Sequence, residues 1–242
     1  LGREFTDVIV ERSLREALIR LNPSIAEKPE RADEVIYRLR TIWLGSHSTG
    51  LVAANKEFEK WLKNGKSMPF GPNNEHVTIQ VVDFDDPGNN EFIVTKEWTF
   101  IQAGVEKRFD VIYLINGIPV VIGEVKTPVR DAVSWLDGAL QVHDDYEINV
   151  SQMFVPNVFS YASEGKAFRY GSVRMPIEIW GPWREDEGHA LSDVRRTLKS
   201  LMRPEVILDI LQNFTLFATD KKHRAIKIIC RYQQYDGANK IV

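Results

Sequence analysis

Residues 108–125 read RFDVIYLINGIPVVIGEV, two apolar runs joined by Asn116-Gly117. An Asn-Gly link between strand-like runs demands a tight hairpin, because both turn positions need the positive φ that these residues accept most readily. The second run is apolar almost throughout, the pattern of an interior strand. Such a strand rarely carries charge, since an unpaired buried charge is costly. Yet Asp110 interrupts the first run, and Glu124 and Lys126 stand at the end of the second, where Thr127-Pro128 closes it.

Side chains two apart on a strand project to one face, so Glu124 and Lys126 are neighbours there while Val125 packs into the other. Asp110 sits on the partner strand, and the turn is expected to set the register that brings all three together. Two carboxylates, helped by the Val125 backbone carbonyl, suit a hard, oxygen-seeking cation such as Mg²⁺. Such a cation acidifies a bound water and neutralises charge on a scissile phosphate. Lys126 can orient that water or stabilise the developing negative charge. The combination points to metal-dependent phosphodiester hydrolysis. A structural ion pair at a sheet edge uses the same residues, and the residues alone leave both readings open.

The rest of the chain supplies a frame for this hairpin. Residues 5–23 carry apolar positions at Val8, Val10, Leu14, Leu18 and Leu21, which predicts an amphipathic helix starting near Thr6 or Asp7 and closed by Pro23. Helical patterns also cover 32–44 and 52–62, and the Gly/Pro/Asn-rich stretch 64–75 reads as a loop. The period then shifts to strands at 76–84, 91–102, 108–115 and 118–125. A helix is expected from Asp131 to about Glu147, with Ala132, Trp135, Leu136, Ala139, Leu140 and His143 on one face. Strand-like segments follow at 152–160 and 176–181, with an aromatic-rich turn region between them. The order predicts a mixed α/β (α+β) fold with a central mixed sheet flanked by helices. The polar break 181–193 is the boundary candidate, dividing residues 1–183 from 184–242. Beyond it lie a helix, a short strand at 213–219 and an apolar piece leading into a helix start.

Charge is uneven along this order. From Arg195 to Val242 there are ten Lys/Arg against four Asp/Glu, which makes that tail +6 and residues 1–194 −9. The asymmetry leaves DNA contact open without demanding it; a solvated basic helix face accounts for it equally well. One cysteine, Cys230, excludes an internal disulfide framework and a cysteine-based zinc site, and favours a reducing, cytoplasmic setting. No apolar run approaches membrane-span length and no signal peptide is visible. The five histidines lack metal-ligand spacing. Ser46-His47-Ser48 has no nucleophile-elbow context and reads as a polar loop. A first residue other than Met, and a pattern interrupted at Val242, lead us to expect a fragment of something longer.

Asp110, thirteen intervening residues, then Glu124-Val125-Lys126, resembles the signature of PD-(D/E)xK nucleases. The resemblance narrows to the N-terminal nuclease domain of the endonuclease (R) subunit of type I restriction enzymes. It is carried by LREALIRLNP (14–23), DFDDPGNNEFIV (83–94), RFDVIYLINGIPVVIGEVKTP (108–128), FRYG (168–171), NFTLF (213–217) and KIICRYQQYDGANK (227–240). A lone D…ExK is a weak signal; this ordered series is specific and runs along most of the chain.

The resemblance implies Asp110 and Glu124 as metal ligands and Lys126 as the catalytic lysine, with Mg²⁺ as cofactor and Mn²⁺ as its substitute. It implies a further carboxylate from the first helix, for which Glu11 is the candidate and Glu4 and Glu16 are rivals. A Gln-x-x-x-Tyr motif on the helix after the lysine strand would position the site or DNA. Here Gln141 and Tyr146 stand five apart, about 500° of α-helical turn instead of about 400°. The positioning role therefore passes first to Gln141; the motif's tyrosine role for Tyr146 is set against a packing role, which the spacing favours. RYQQYDGANK resembles the opening of the motor domain in the same subunits, where Gln234 would read the adenine of ATP; incidental glutamines at a helix start are the plain alternative. No G-x-x-x-x-G-K-[ST] occurs, so ATP is expected to matter only in the full-length protein. Residues 184–242 then read as a linker and the start of that motor.

The implied function is a Mg²⁺-dependent endonuclease domain that cuts double-stranded DNA without reading sequence. Recognition and methylation would belong to separate specificity and methylation subunits, and cleavage would follow ATP-driven translocation. Two alternatives stay open: a non-enzymatic docking module of the same fold, and a standalone restriction or repair nuclease.

Overall fold

The computed structural model describes residues 2–129, 132–184 and 190–241. Three helices come first: α1 (Glu11–Leu21), α2 (Arg31–Leu44) and α3 (Leu51–Asn64). The first starts later than its periodicity predicts. Val8, Ile9 and Val10 are all buried, and three consecutive buried residues cannot share one helical stripe. They run non-helically instead, and the Val10 N–H bonds to Gly117 O at 2.8 Å. Leu14, Ala17 and Leu18 then form the buried stripe of α1, which stops at an extended Asn22 before Pro23. The expected polar loop at Ser46-His47-Ser48 is one helical turn, Ser46–Thr49, with Ser46 buried and its hydroxyl donating to Trp43 O at 2.7 Å.

Strand β1 (Lys66–Met68) lies inside the stretch expected to be a loop, and pairs with β2 (Val77–Ile79) in a separate ribbon. The predicted strand 76–84 is this short because the Asn22 side chain takes both the N–H and the C=O of Gln80, at 2.8 Å each. The main sheet has the order β3 (Phe92–Gln102), β4 (Val105–Ile115), β5 (Ile118–Val125), β6 (Phe159–Ser163), β7 (Phe168–Gly171). Neighbours are antiparallel except β5 and β6, which are parallel. The β4–β5 turn is as expected, with φ of 51° at Asn116 and 77° at Gly117. A Cβ at Gly117 would collide with the Val10 carbonyl. The Asn116 side chain is fully buried, accepting from Glu91 N–H at 2.8 Å and donating to Val81 O at 2.9 Å.

Two predicted strands move. Residues 151–154 form a 3₁₀ turn, and the carbonyls of Phe154, Val155 and Asn157 are taken by the buried Asn55 side chain instead of a ladder. The apolar run there reflects core burial, and extension begins only at Phe159. Residues 177–179 are likewise a 3₁₀ turn, with a single bridge from Gly181 to Tyr170. The stretch between, read as turns, holds β7.

The helix expected from Asp131 to Glu147 starts at Trp135; Asp131 lies outside the described residues. Ser134 caps it, accepting from Leu136 N–H, while Asp137 reaches back to Ser134 N–H at 2.7 Å. This helix, α4 (Trp135–Leu140), runs on as a π-helix over Gln141–Tyr146 and a last turn at Glu147–Asn149. Its buried face is Gly138, Ala139, Val142 and Tyr146; of the predicted stripe, Leu136 and Leu140 are exposed. Gly138 sets this rotation by letting the helix come close to Ala162 and Glu124 of the sheet.

The remainder comprises α5 (Leu191–Leu201), α6 (Pro204–Asn213), β8 (Thr215–Thr219), β9 (Ala225–Ile229) and α7 (Tyr232–Ile241). The expected division after residue 183 falls beside 185–189, which lie outside the described residues. Segments on either side share one buried cluster reaching from Val8 to Cys230. Lys227, one of the basic tail's cations, is 1 % exposed in its side chain, held by Glu59 Oε2 and Asn157 O at 2.8 Å each. Others are paired on the surface, such as Arg224 with Asp220 and Lys240 with Asp236. The architecture is the expected mixed α/β one, a five-stranded mixed sheet flanked by helices, consistent with a PD-(D/E)xK-like core.

Candidate active site

The turn pairs Ile115 with Ile118, a register that continued unbroken would set Ile112 opposite Val121. Glu124 would then project from the side of the sheet away from Ile112, because a one-residue slip exchanges faces. The observed pairs are Leu114 with Pro119 but Tyr113 with Val121, so Val120 is an extra residue, a β-bulge. It lies beside Pro119, which has no N–H to give a ladder in this interior strand. Past the bulge Ile112 pairs with Ile122 and Val111 with Gly123, and the next step sets Asp110 level with Glu124. The expected convergence is present, but the turn alone does not produce it.

A second irregularity aims Asp110. Glu124 and Ala162 lie under Gly138 of α4, and Ile122 and its partner Ile112 share that face. Phe109 also faces this helix, its ring 4.9 Å from that of Tyr146. Phe109 and Ile112 are three residues apart, so β4 turns over between them. On β3 the residue opposite Asp110 is Glu97, flanked by the pairs Lys96–Val111 and Trp98–Phe109, and its φ is 55°. Released from strict alternation, Asp110 accepts the Val125 N–H through Oδ2 at 2.8 Å. A strand residue's N–H and C=O project to the same lateral side, so the Val125 carbonyl faces β4 as well.

Glu124 is 3 % exposed in its side chain, and Lys126 Nζ donates to its Oε1 at 2.7 Å. Its other oxygen, Oε2, is buried with no hydrogen-bond partner. Burial pushes the Glu124 carboxyl up to about 7, the Lys126 contact opposes this, and the adjacent Asp110 carboxylate adds to it. Two carboxylates in contact, one with an orphaned oxygen, resist sharing the site as anions unless a proton or a cation joins them. Among the described residues no group of three or more His, Cys, Asp or Glu is arranged to hold a metal ion. The donors on offer are thus two carboxylates and a carbonyl, hard oxygens of the number Mg²⁺ takes from protein while keeping waters.

Lys126 Nζ also donates to Gln141 Oε1, and Gln141 Nε2 donates to the Tyr146 hydroxyl, which reaches Arg108 O at 3.3 Å. The five-residue spacing is reconciled by the π-helix. Its i→i+5 bonding brings residue i+5 about one turn above i, as i+4 is in an α-helix. Tyr146 is buried, its hydroxyl pushed up to about 12 chiefly by burial, so it both packs on Phe109 and holds Gln141. Lys107, paired with Asp145 at 2.7 Å, sits over the Tyr146 ring and braces the same segment.

Glu11 is not brought to this site. It pairs with Arg40 at 2.8 Å and Arg15 at 3.6 Å. All of α1 lies at the turn end of the hairpin, Val10 against Gly117 and Arg20 against Asn116. Glu124 is seven residues up the strand, about 23 Å away. Glu16, paired with Arg12, shares that placement. Glu4 lies along the outer edge of β3, where Ile101 N–H bonds to Phe5 O, with β4 between it and Glu124. Spacing identifies a helix glutamate but not which end of a sheet the helix meets. Gln234 accepts from Arg231 N–H at 2.8 Å at the start of α7, in the N-terminal turn. Pro119 within an interior run was the one sequence signal of the bulge; nothing in the sequence marked the backbone of Glu97.

The family model described as Type I restriction enzyme R protein N terminus matches residues 2–178. The chain is 30 % identical over 249 residues to the type I restriction enzyme HindI endonuclease subunit of Haemophilus influenzae, covering 99 % of this chain and 23 % of that protein. Two Methanocaldococcus jannaschii proteins, the putative type I restriction enzyme MjaIXP and MjaVIIIP endonuclease subunits, are 24 % and 25 % identical. The alignments cover 98 % and 99 % of this chain and 24 % and 23 % of theirs. The chain therefore spans about a quarter of the length of the curated relatives it matches.

Proposed function

Because the chain belongs to the family of type I restriction enzyme R protein N-termini, we propose that it is a Mg²⁺-dependent nuclease that hydrolyses phosphodiester bonds in double-stranded DNA. The observation that carries this reading is the Asp110–Glu124 contact, with Glu124 Oε2 buried and unpartnered and Lys126 Nζ 2.7 Å from Oε1. Asp110, Glu124 and the Val125 carbonyl would hold the metal, with Mn²⁺ as a substitute. When bound it supplies an acidified water and countercharge for the phosphate. Lys126, steadied by Gln141 beside the Glu124 carboxylate, would supply a positive charge to orient the attacking water or stabilise the charge developing on the phosphate. Tyr146 fixes Gln141 and so orients the lysine. Asp110 keeps Val125 in place through its N–H, which leaves the neighbouring carbonyl directed at the same point.

Cutting would be non-specific and would follow ATP-driven translocation by motor domains of a longer protein, with Gln234 contacting adenine there. Specificity and methylation subunits would supply recognition and modification, in the cytoplasm. Among the described residues no helix is long and apolar enough to cross a membrane. The test is plasmid cleavage by the full-length protein in its restriction complex with Mg²⁺ or Mn²⁺. Loss of cutting in Asp110→Ala and Lys126→Ala supports the reading, and undiminished cutting in either defeats it. A docking module of the same fold would leave cutting indifferent to these substitutions.

A further inference from the structure

One side of the candidate site is closed by α4 and the other is open. Val125 alternates with Glu124 and is exposed on the open side, as is Val94 on β3. Phe109 faces α4, so its neighbour Arg108 projects from the open side, two residues and about 7 Å along the strand from Asp110. The Arg108 side chain is 65 % exposed. Its ion-pair partner is Glu97, also 65 % exposed, with Nη1 and Oε1 3.9 Å apart. A pair that long and that wet is screened and weak. Glu97 makes it from a left-handed backbone conformation in the middle of a strand, φ 55°, opposite Asp110. The backbone of Arg108 is nonetheless fixed relative to the lysine, since Tyr146 bonds its carbonyl and connects through Gln141 to Lys126.

We propose that Arg108 is a DNA phosphate contact flanking the catalytic carboxylates, held by Glu97 until a backbone phosphate takes that carboxylate's place. This rests on the nuclease reading for its ligand. A planar guanidinium offers two parallel N–H donors to a phosphate, a stronger and more directional match than the existing pair. DNA approaching Asp110 from the uncovered side passes Arg108. Glu97 then has a negative role: it shields the guanidinium from other anions and opposes DNA until the phosphate displaces it.

The two residues therefore have opposite expected effects, measured in the complete protein with its partner subunits on plasmid DNA at several salt concentrations. Arg108→Gln raises KM by about tenfold and reduces the salt slope of DNA binding by about one. It leaves kcat at saturating DNA within about twofold, and Arg108→Lys recovers part of the loss. Glu97→Gln lowers KM. An unchanged KM and salt slope in Arg108→Gln overturns the contact, and a raised KM in Glu97→Gln overturns the holding role. Both positions are exposed, and unaltered thermal unfolding of the variants excludes misfolding as the cause. Asp110→Ala separates the two ideas. If it still cuts while Arg108→Gln shifts the salt slope, the nuclease site is wrong and the DNA contact stands; if it is dead while Arg108→Gln is silent, the reverse holds.

Discussion

Asp110 and Val125 are joined by a hydrogen bond in which a carboxylate oxygen takes a strand N–H at 2.8 Å, at the point where β4 and β5 stop pairing as a ladder. The bond gives Asp110 a structural duty besides any chemical one, and the two can be separated by substitution. Asparagine keeps an oxygen for the Val125 N–H but removes the negative charge. Asp110→Asn is therefore expected to unfold at nearly the parental temperature while plasmid cleavage falls by at least about a hundredfold. Parallel thermal melts and nicking assays check this; cleavage near the parental rate would remove Asp110 from the chemistry.

The link from Lys126 through Gln141 to Tyr146 predicts a graded series. Tyr146→Phe deletes the hydroxyl that anchors Gln141 Nε2, and Gln141→Ala deletes the acceptor for the lysine itself. Cutting should fall about tenfold in the first and further in the second, with DNA affinity little altered in either. Single-turnover cleavage beside a binding isotherm reads both. Equal losses of affinity and rate would place these residues on DNA and not on the lysine.

Glu147 predicts a pH dependence of stability. Its carboxyl is buried against Arg174, and burial raises it from 4.5 to about 8 despite that neighbour. A carboxyl raised on folding contributes stability that is full below its unfolded value near 4.5 and is lost as pH climbs toward 8. Glu147→Gln keeps an oxygen for the Arg174 N–H without titrating. Urea midpoints of parent and variant should therefore diverge from about pH 5 to pH 8.5 in the variant's favour. Parallel midpoints across that range contradict the assignment.

The Glu59–Lys227 pair is buried on both sides and joins α3 to β9. Lys227→Met takes the ammonium from Glu59 Oε2 and leaves Lys63 and Thr215 on Oε1, so it should cost about 3 kcal/mol, and replacing both residues with Met should recover part of the loss. Chemical denaturation of the single and double variants decides it. A near-neutral single variant would mean that the C-terminal hairpin is not held by this pair.

Legibility in the sequence followed a physical rule. Features that depend on one residue's backbone preference were plain: the Asn116-Gly117 turn, and the strand end at Thr127-Pro128. So were the long apolar periods behind α2, α3 and β3 to β5. Features set by partners were not. Asn22 and Asn55 divert backbone groups from ladders, which shortened one predicted strand and displaced another. Asp110, Glu124 and Lys126 could be picked out because charge at the end of an apolar strand is rare. The helix glutamate could not, since α1 meets the sheet at its opposite end. The five-residue gap between Gln141 and Tyr146 counted against their contact only while the helix was taken to be uniformly α.

The bulge at Val120 makes β5 sensitive to length in a way its composition conceals. Most exchanges among Val120, Val121 and Ile122 alter packing by a methyl group or two, and a well-filled interior absorbs some of that. Loss of Val120 would leave a regular ladder with Ile122 still opposite Ile112 and Glu124 still level with Asp110, whereas gain of one apolar codon would leave an equally apolar strand that presents Gly123 and Val125 to the helix with the acid turned away. One-codon insertions in this segment should therefore abolish cleavage in proteins that still fold, while deletion of Val120 should spare it, a class of variant that a substitution scan cannot reach.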